Sequence, residues 1–153
     1  MSETVVDSNH PLALAIKRNS IEDVKRLIND GADVNLFFYS KTLIKTDGET
    51  HEGNYNENVN TPLTLAIKKN KIKISKCLIE NGANVNAIAT HKKHVWGSCY
   101  TESYNPLILA FKQKSIELVK FLIEHGANYK EDFSGQYPLI LAIEKGMTDI
   151  AKY

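Results

Sequence analysis

One block of apolar positions recurs four times along the chain. It reads Pro11-Leu12-Ala13-Leu14-Ala15-Ile16, then Pro62-Leu63-Thr64-Leu65-Ala66-Ile67, Pro106-Leu107-Ile108-Leu109-Ala110-Phe111 and Pro138-Leu139-Ile140-Leu141-Ala142-Ile143. After the first three copies comes a second apolar series and a glycine: Ile21, Val24, Leu27, Ile28 before Gly31; Ile72, Leu78, Ile79 before Gly82; Ile116, Val119, Leu122, Ile123 before Gly126. The second series has the i, i+3, i+6, i+7 spacing of one buried helical face. Proline suits the first helical position, where its missing N–H has no partner to lose. Thr61 and Asn105, just before it, can cap the free amides, while His10 and Tyr137 are poorer caps. Glycine ends the second helix in the left-handed conformation that other residues adopt at a steric cost. The pattern predicts four pairs of short helices, with small Ala15, Ala66, Ala110 and Ala142 admitting a neighbour closely.

Helices of about 8–10 residues fall below the roughly 12–15 at which an isolated helix holds in water, so each pair must stack on the next. Thr61-Pro62-Leu63-x-Leu65-Ala66 and Gly82-Ala83-Asn84-Val85-Asn86 resemble the Thr-Pro-Leu-His-x-Ala and Gly-Ala-Asp-Val-Asn motifs of the ankyrin repeat. The resemblance covers nearly the whole chain outside two long connectors. It implies an all-α repeat solenoid, an ankyrin helix–turn–helix stack with two elongated β-hairpin insertions. Residues 1–153 then form a single domain, with repeats at about 9–35, 60–86, 105–130 and 136–153, the last incomplete, and inserted loops at 36–59 and 87–104. The family's histidine after Pro-Leu is replaced by Ala13, Thr64, Ile108 and Ile140. Its inter-repeat hydrogen bonds are therefore expected to be absent, and stability to lean on apolar packing.

The repeat period, about 33 residues in ankyrins, is kept only once. Successive prolines lie 51, 44 and 32 residues apart. Connectors beyond about 12–15 residues are commonly functional or disordered. Composition favours function here. Phe37, Phe38, Tyr39, Tyr55, Trp96, Tyr100 and Tyr104 put more than half of the chain's aromatics into the two connectors, whereas disordered segments are poor in them and interface hot spots are rich in Trp and Tyr. Asp47-Gly48 is a hairpin-turn signal after Lys41–Thr46. A second turn is expected at His91-Lys92-Lys93-His94. Two projecting fingers follow, with Phe38 and Trp96 exposed on them. The competing reading has these aromatics covering the helix tops or packing between the fingers.

Charge and composition exclude several classes. A formal charge of +1 gives no global field toward nucleic acid or an anionic membrane. No apolar run approaches the roughly 18–20 residues of a membrane span, and the acidic N-terminus lacks the apolar core of a signal peptide. Cys77 and Cys99 are too few for a disulfide framework, which fits a reducing compartment. The expected location is cytoplasmic, with the nucleus or a host-cell cytosol as alternatives. The Lys- and Asn-rich composition suits an AT-rich genome, including that of a microbial or viral effector. The chain stops in the second helix of the fourth repeat, at Lys152-Tyr153, so a longer natural protein or a capping partner is expected.

Candidate chemistry is sparse. His91, His94 and Cys99 can be written as three zinc ligands, but the spacing matches no defined finger, and polar residues at a hairpin tip explain them more simply. Cys77 occupies a helix position filled by Arg26 and Phe121 in neighbouring repeats and reads as packing. No phosphate loop, cofactor motif or triad is visible, so neither enzyme activity nor a cofactor is expected. Lys68, Lys69, Lys71, Lys73 and Lys76 form a basic cluster best read as a solvated face. Asn35 and Asn86 match the family position that an asparaginyl hydroxylase can modify, beside a purely structural role in the turn. The resulting expectation is a protein–protein interaction module. Its partner docks on a concave side gripped by both fingers, with Phe38, Tyr39, Tyr55, Trp96 and Tyr100 as anchors and Lys92 and Lys93 setting electrostatic preference. The alternatives are a ligand- or nucleic-acid-binding sensor on the same surface and a passive spacer in a larger repeat protein. Nucleic acid and membrane are not the expected partners, and the oligomeric state is left open.

Overall fold

The computed structural model describes residues 5–7, 9–46, 49–130, 135, 137–144 and 146–147, without the side chains of 5, 6, 46, 49–52 and 139. Three of the four predicted helix pairs and the first helix of the fourth are present within these bounds. They are α1 (Pro11–Arg18) with α2 (Ile21–Asn29), α3 (Pro62–Lys68) with α4 (Ile72–Glu80), α5 (Pro106–Lys112) with α6 (Ile116–Glu124), and α7 (Pro138–Glu144). Proline opens each first helix, and Asn105 and Thr61 cap α5 and α3 through their side chains. His10 also accepts from the Leu12 amide, at 3.3 Å. The second helix expected from Met147 onward lies outside the described residues.

First helices pack on first helices, α1 on α3, α3 on α5 and α5 on α7, and second helices follow suit. Leu12, Ile16, Leu63, Ile67, Leu107 and Phe111 are fully buried between them. Val24, Leu78 and Leu122 on the second helices complete one continuous core. Gly31, Gly82 and Gly126 sit at φ of 90°, 86° and 88°, the left-handed stop expected after each second helix. In the last pair Ile140 and Ile143 are exposed. The matching positions Ala13, Thr64 and Ile108, and Ile16, Ile67 and Phe111, are buried by the following repeat.

Losing the motif histidine has not removed the polar ties. Thr64 stands in its place, fully buried, and forms a reciprocal capping box with Thr61: each hydroxyl accepts the other's backbone N–H, at 2.8 and 3.2 Å. Between repeats, Asn35 donates from Nδ2 to the Gly82 carbonyl (3.0 Å) and accepts the Asn84 amide on Oδ1 (2.7 Å). Asn86 repeats this toward Gly126 and Asn128, at 3.1 and 2.8 Å. The junctions therefore do not rest on apolar packing alone: the carboxamides of Asn35 and Asn86, which follow the glycine turn of repeats one and two, supply two hydrogen bonds at each of these two junctions. Asn86→Ala is expected to lower the unfolding free energy by about 1–2 kcal/mol, because both bonds are partly solvated. Urea unfolding followed by circular dichroism measures this, and an unchanged midpoint would assign the junction to apolar packing alone.

The expected all-α class is incomplete, because a five-stranded sheet rises from the helix stack in the order β1-β2-β3-β4-β5. Its strands are β1 (Val5–Asp7), β2 (Phe37–Thr46), β3 (Glu49–Asn60), β4 (Ala89–Val95) and β5 (Ser98–Tyr104). The first connector forms the β2–β3 hairpin, pairing Thr46 with Glu49 around positions 47 and 48, which lie outside the described residues. The second forms β4–β5. The two fingers are not separate, since β3 and β4 pair antiparallel from Tyr55↔His94 to Val59↔Thr90. A short N-terminal strand, β1, adds parallel to the Phe37–Tyr39 end of β2. Pairing satisfies the inner backbone groups of both hairpins at once, which two isolated fingers cannot do.

Candidate interaction surface

The period-2 alternation of strands divides the sheet's residues between two faces. One face carries Tyr39, Lys41 and Leu43 of β2, Tyr55 and Glu57 of β3, Lys92 and His94 of β4, and Cys99 and Thr101 of β5. The other carries Asn56 and Asn58 of β3, His91 and Lys93 of β4, and Tyr100, Glu102 and Tyr104 of β5.

The first face is internally engaged. Tyr39 donates its hydroxyl to Glu57 at 3.0 Å, and Tyr55 stacks on the His94 ring at 4.2 Å with the Lys41 ammonium 3.8 Å from its centroid. Tyr55, one of the expected anchors, is half-buried within this network. Cys99 Sγ and Glu57 Oε2 both approach the same His94 nitrogen, Nε2, each at 3.7 Å. A nucleophile–base–orienter relay needs the two ring nitrogens separately, so this cluster does not assemble one. The zinc reading also fails on geometry. His91 points to the opposite face, where Nδ1 meets Asn58 Oδ1 at 2.8 Å, and no three His, Cys, Asp or Glu groups among the described residues converge on a metal position. Cys77 is buried, and burial pushes its thiol pKa up, consistent with a packing position.

The second face turns over the helix stack at its base. Tyr104 presents its ring to the ammoniums of Lys112 (4.2 Å) and Lys68 (5.4 Å), at the C-terminal ends of α5 and α3. Its hydroxyl donates to Glu102. Burial first, and then the Glu102 carboxylate as acceptor and as charge, push the phenol up to about 12. Burial and the neighbouring Lys112 lower Lys68, with Glu102 opposing them. A phenol raised above its unfolded value adds stability below that value and loses it as pH climbs through the folded one. Ultraviolet titration is therefore expected to show one phenolate appearing near pH 12, a step missing in Tyr104→Phe. A Tyr104→Phe difference curve centred near pH 10 would refute the arrangement.

The tip of the second hairpin is where expectation and structure differ most. His91–His94 is not a turn but the middle of β4, and the chain reverses at Trp96-Gly97, both with positive φ, 50° and 79°. Gly97 is the only glycine in that connector and was the available signal. The usual occupant of the first position of such a turn is asparagine or aspartate, and a bulky residue there is an outlier. The buried Asn54 of β3 steadies the turn by accepting the Trp96 amide on Oδ1, at 2.9 Å. Trp96 is 67% exposed and Tyr100 62%. With Lys93, Val95 and Ser98 they line a shallow cavity of ≈ 540 Å³.

Phe38 does not belong to this surface. At 2% exposure it lies in the core beside His10, ring centroids 5.8 Å apart. The alternation that sends Tyr39 outward sends Phe38 down onto the first repeat. Lys92 and Lys93 are exposed as expected, but on opposite faces. Asn54, Glu57 and Lys112 carried no signal in the sequence, and Lys68, expected only as part of a solvated basic cluster, is instead drawn against Tyr104, because these roles arise from strand pairing and helix stacking.

Residues 7–37 and 58–90 match the profile of the ankyrin repeat, and residues 88–153 match that of ankyrin repeats in three copies. No curated protein matches the chain significantly.

Proposed function

The chain belongs to the ankyrin-repeat family, whose repeats are generally protein-binding modules, and from that premise we propose that it recognises a partner protein through the tip of the β4–β5 hairpin. Trp96 is the observation that carries the reading. A tryptophan held at φ 50° and 67% exposed occupies a site where asparagine or glycine would make the turn more stable. Strain of this kind concentrates at functional sites, and Trp and Tyr are the side chains that dominate interface energetics. Tyr100 and Lys93 beside it add a second aromatic and a positive charge. Pairing of β3 with β4 as far as Tyr55↔His94, and the Asn54 bond to the Trp96 amide, order the tip in advance, which reduces the entropy lost on docking.

No helix among the described residues is long and apolar enough to cross a membrane. Two free thiols, one of them exposed, suit a reducing compartment such as the cytoplasm or nucleus. The test is affinity capture from lysate by the parent chain and by Trp96→Asn, with bound proteins identified by mass spectrometry. A protein retained by the first and lost by the second supports the reading. Identical captured sets move recognition away from the hairpin tip.

A further inference from the structure

The sheet ends at β5, and among the described residues no strand pairs with its outer side. In a hairpin closed by a two-residue turn, the flanking pair exchanges backbone hydrogen bonds, and bonded and non-bonded pairs alternate from there. Val95↔Ser98 is that closing pair. Lys93↔Tyr100 and His91↔Glu102 are then bonded pairs, while Cys99, opposite His94, and Thr101, opposite Lys92, aim their N–H and C=O groups away from β4. Residues 98–102 are all exposed. Natural edge strands are usually blocked by proline, a bulge or an inward charge. β5 has no proline and no register shift against β4, and its one charged residue, Glu102, is engaged by Tyr104.

We propose that the outer edge of β5 receives an extended acidic segment of a partner protein as a sixth strand. This deepens the reading of the hairpin tip as the recognition surface and rests on it. An added strand would direct alternate side chains to each face. On the face of Tyr100, one of them reaches the cavity between Trp96 and Tyr100, where an apolar side chain fits. Acidic residues on either side of it answer the charge of the hairpin, whose Lys92 and Lys93 outnumber its single carboxylate. Backbone bonds at Cys99 and Thr101 supply affinity. The cavity and the lysines supply selectivity.

Thr101→Pro isolates the edge. Its N–H takes no part in the β4–β5 pairing, so proline removes an outward donor while the hairpin remains, as is tolerated at sheet edges. Random dodecapeptides displayed on phage are selected against the parent chain, and the enriched sequences are measured against Thr101→Pro, Thr101→Ala and Trp96→Asn. The expected peptides carry an aliphatic or aromatic residue flanked by carboxylates. They should bind Thr101→Pro about tenfold or more weakly, the effect of one unmade backbone bond plus its steric clash, and Thr101→Ala like the parent. Amide exchange at Cys99 and Thr101 should slow when peptide is bound. Binding that survives Thr101→Pro but not Trp96→Asn overturns strand addition and leaves the hairpin tip as a side-chain contact. Binding indifferent to both variants overturns both readings. No enriched peptide, or a parent dimer that Thr101→Pro makes monomeric, also removes the acidic segment, the latter in favour of a second copy of the chain.

Discussion

Phe38→Ala is expected to cost about 3–5 kcal/mol of folding free energy, the range for truncating a buried phenylalanine. A domain of this size holds only about 5–15 kcal/mol, so the melting temperature should fall by roughly 10 °C. The ring lies in the core at 2% exposure, on the strand that joins the sheet to the first repeat. Its removal leaves a void in the core beside His10, at the foot of the strand that carries the first hairpin. Calorimetry of the purified chain checks this. A variant that melts with the parent yet fails to bind its partner would return Phe38 to the surface.

Trp96→Asn is expected to do the opposite. Asparagine followed by Gly97 is a favoured pair for a turn with two positive φ angles, so stability should hold or rise by up to about 1 kcal/mol. Affinity for the partner should drop by about 2 kcal/mol or more, roughly 30-fold, as for truncation of a central tryptophan anchor. The two variants form a crossed pair: one loses fold and keeps the contact surface, the other keeps fold and loses it. Isothermal titration with the captured partner, run beside the melting curves, separates them. Unchanged affinity in Trp96→Asn would make the strained turn a feature of folding alone.

Each variant changes one aromatic residue of a connector rich in them. Five of the connector aromatics, Phe38, Tyr39, Tyr55, Trp96 and Tyr100, were expected to anchor one surface, and the structure gives the connector aromatics separate places. Phe38 packs into the core, Tyr55 and Tyr39 lie in a polar network with His94, Lys41 and Glu57, and Tyr104 covers two lysines. Trp96 and Tyr100 remain at the tip. Residue type could show that the connectors were ordered, but not which face each ring would occupy.

What the sequence determined by itself is the local and repeated part. Proline at the start of each first helix, threonine and asparagine caps, and glycines at positive φ encode their structure within a few residues, and the helical period shows which face is buried. Repetition then dictates stacking, since no helix pair of this length covers its own apolar face. Tertiary structure alone decided that β3 joins β4, uniting two hairpins into one sheet, and that His91 and His94 lie on opposite faces of a strand instead of at a turn. It also decided that Asn35 and Asn86 each reach across a junction to the next repeat. The first outcome depends on strand pairing between residues more than thirty positions apart, the second on the strand that this pairing completes, and the third on the stacking of one repeat on the next. A shift of one residue exchanges the faces of a whole strand while leaving every local signal unchanged.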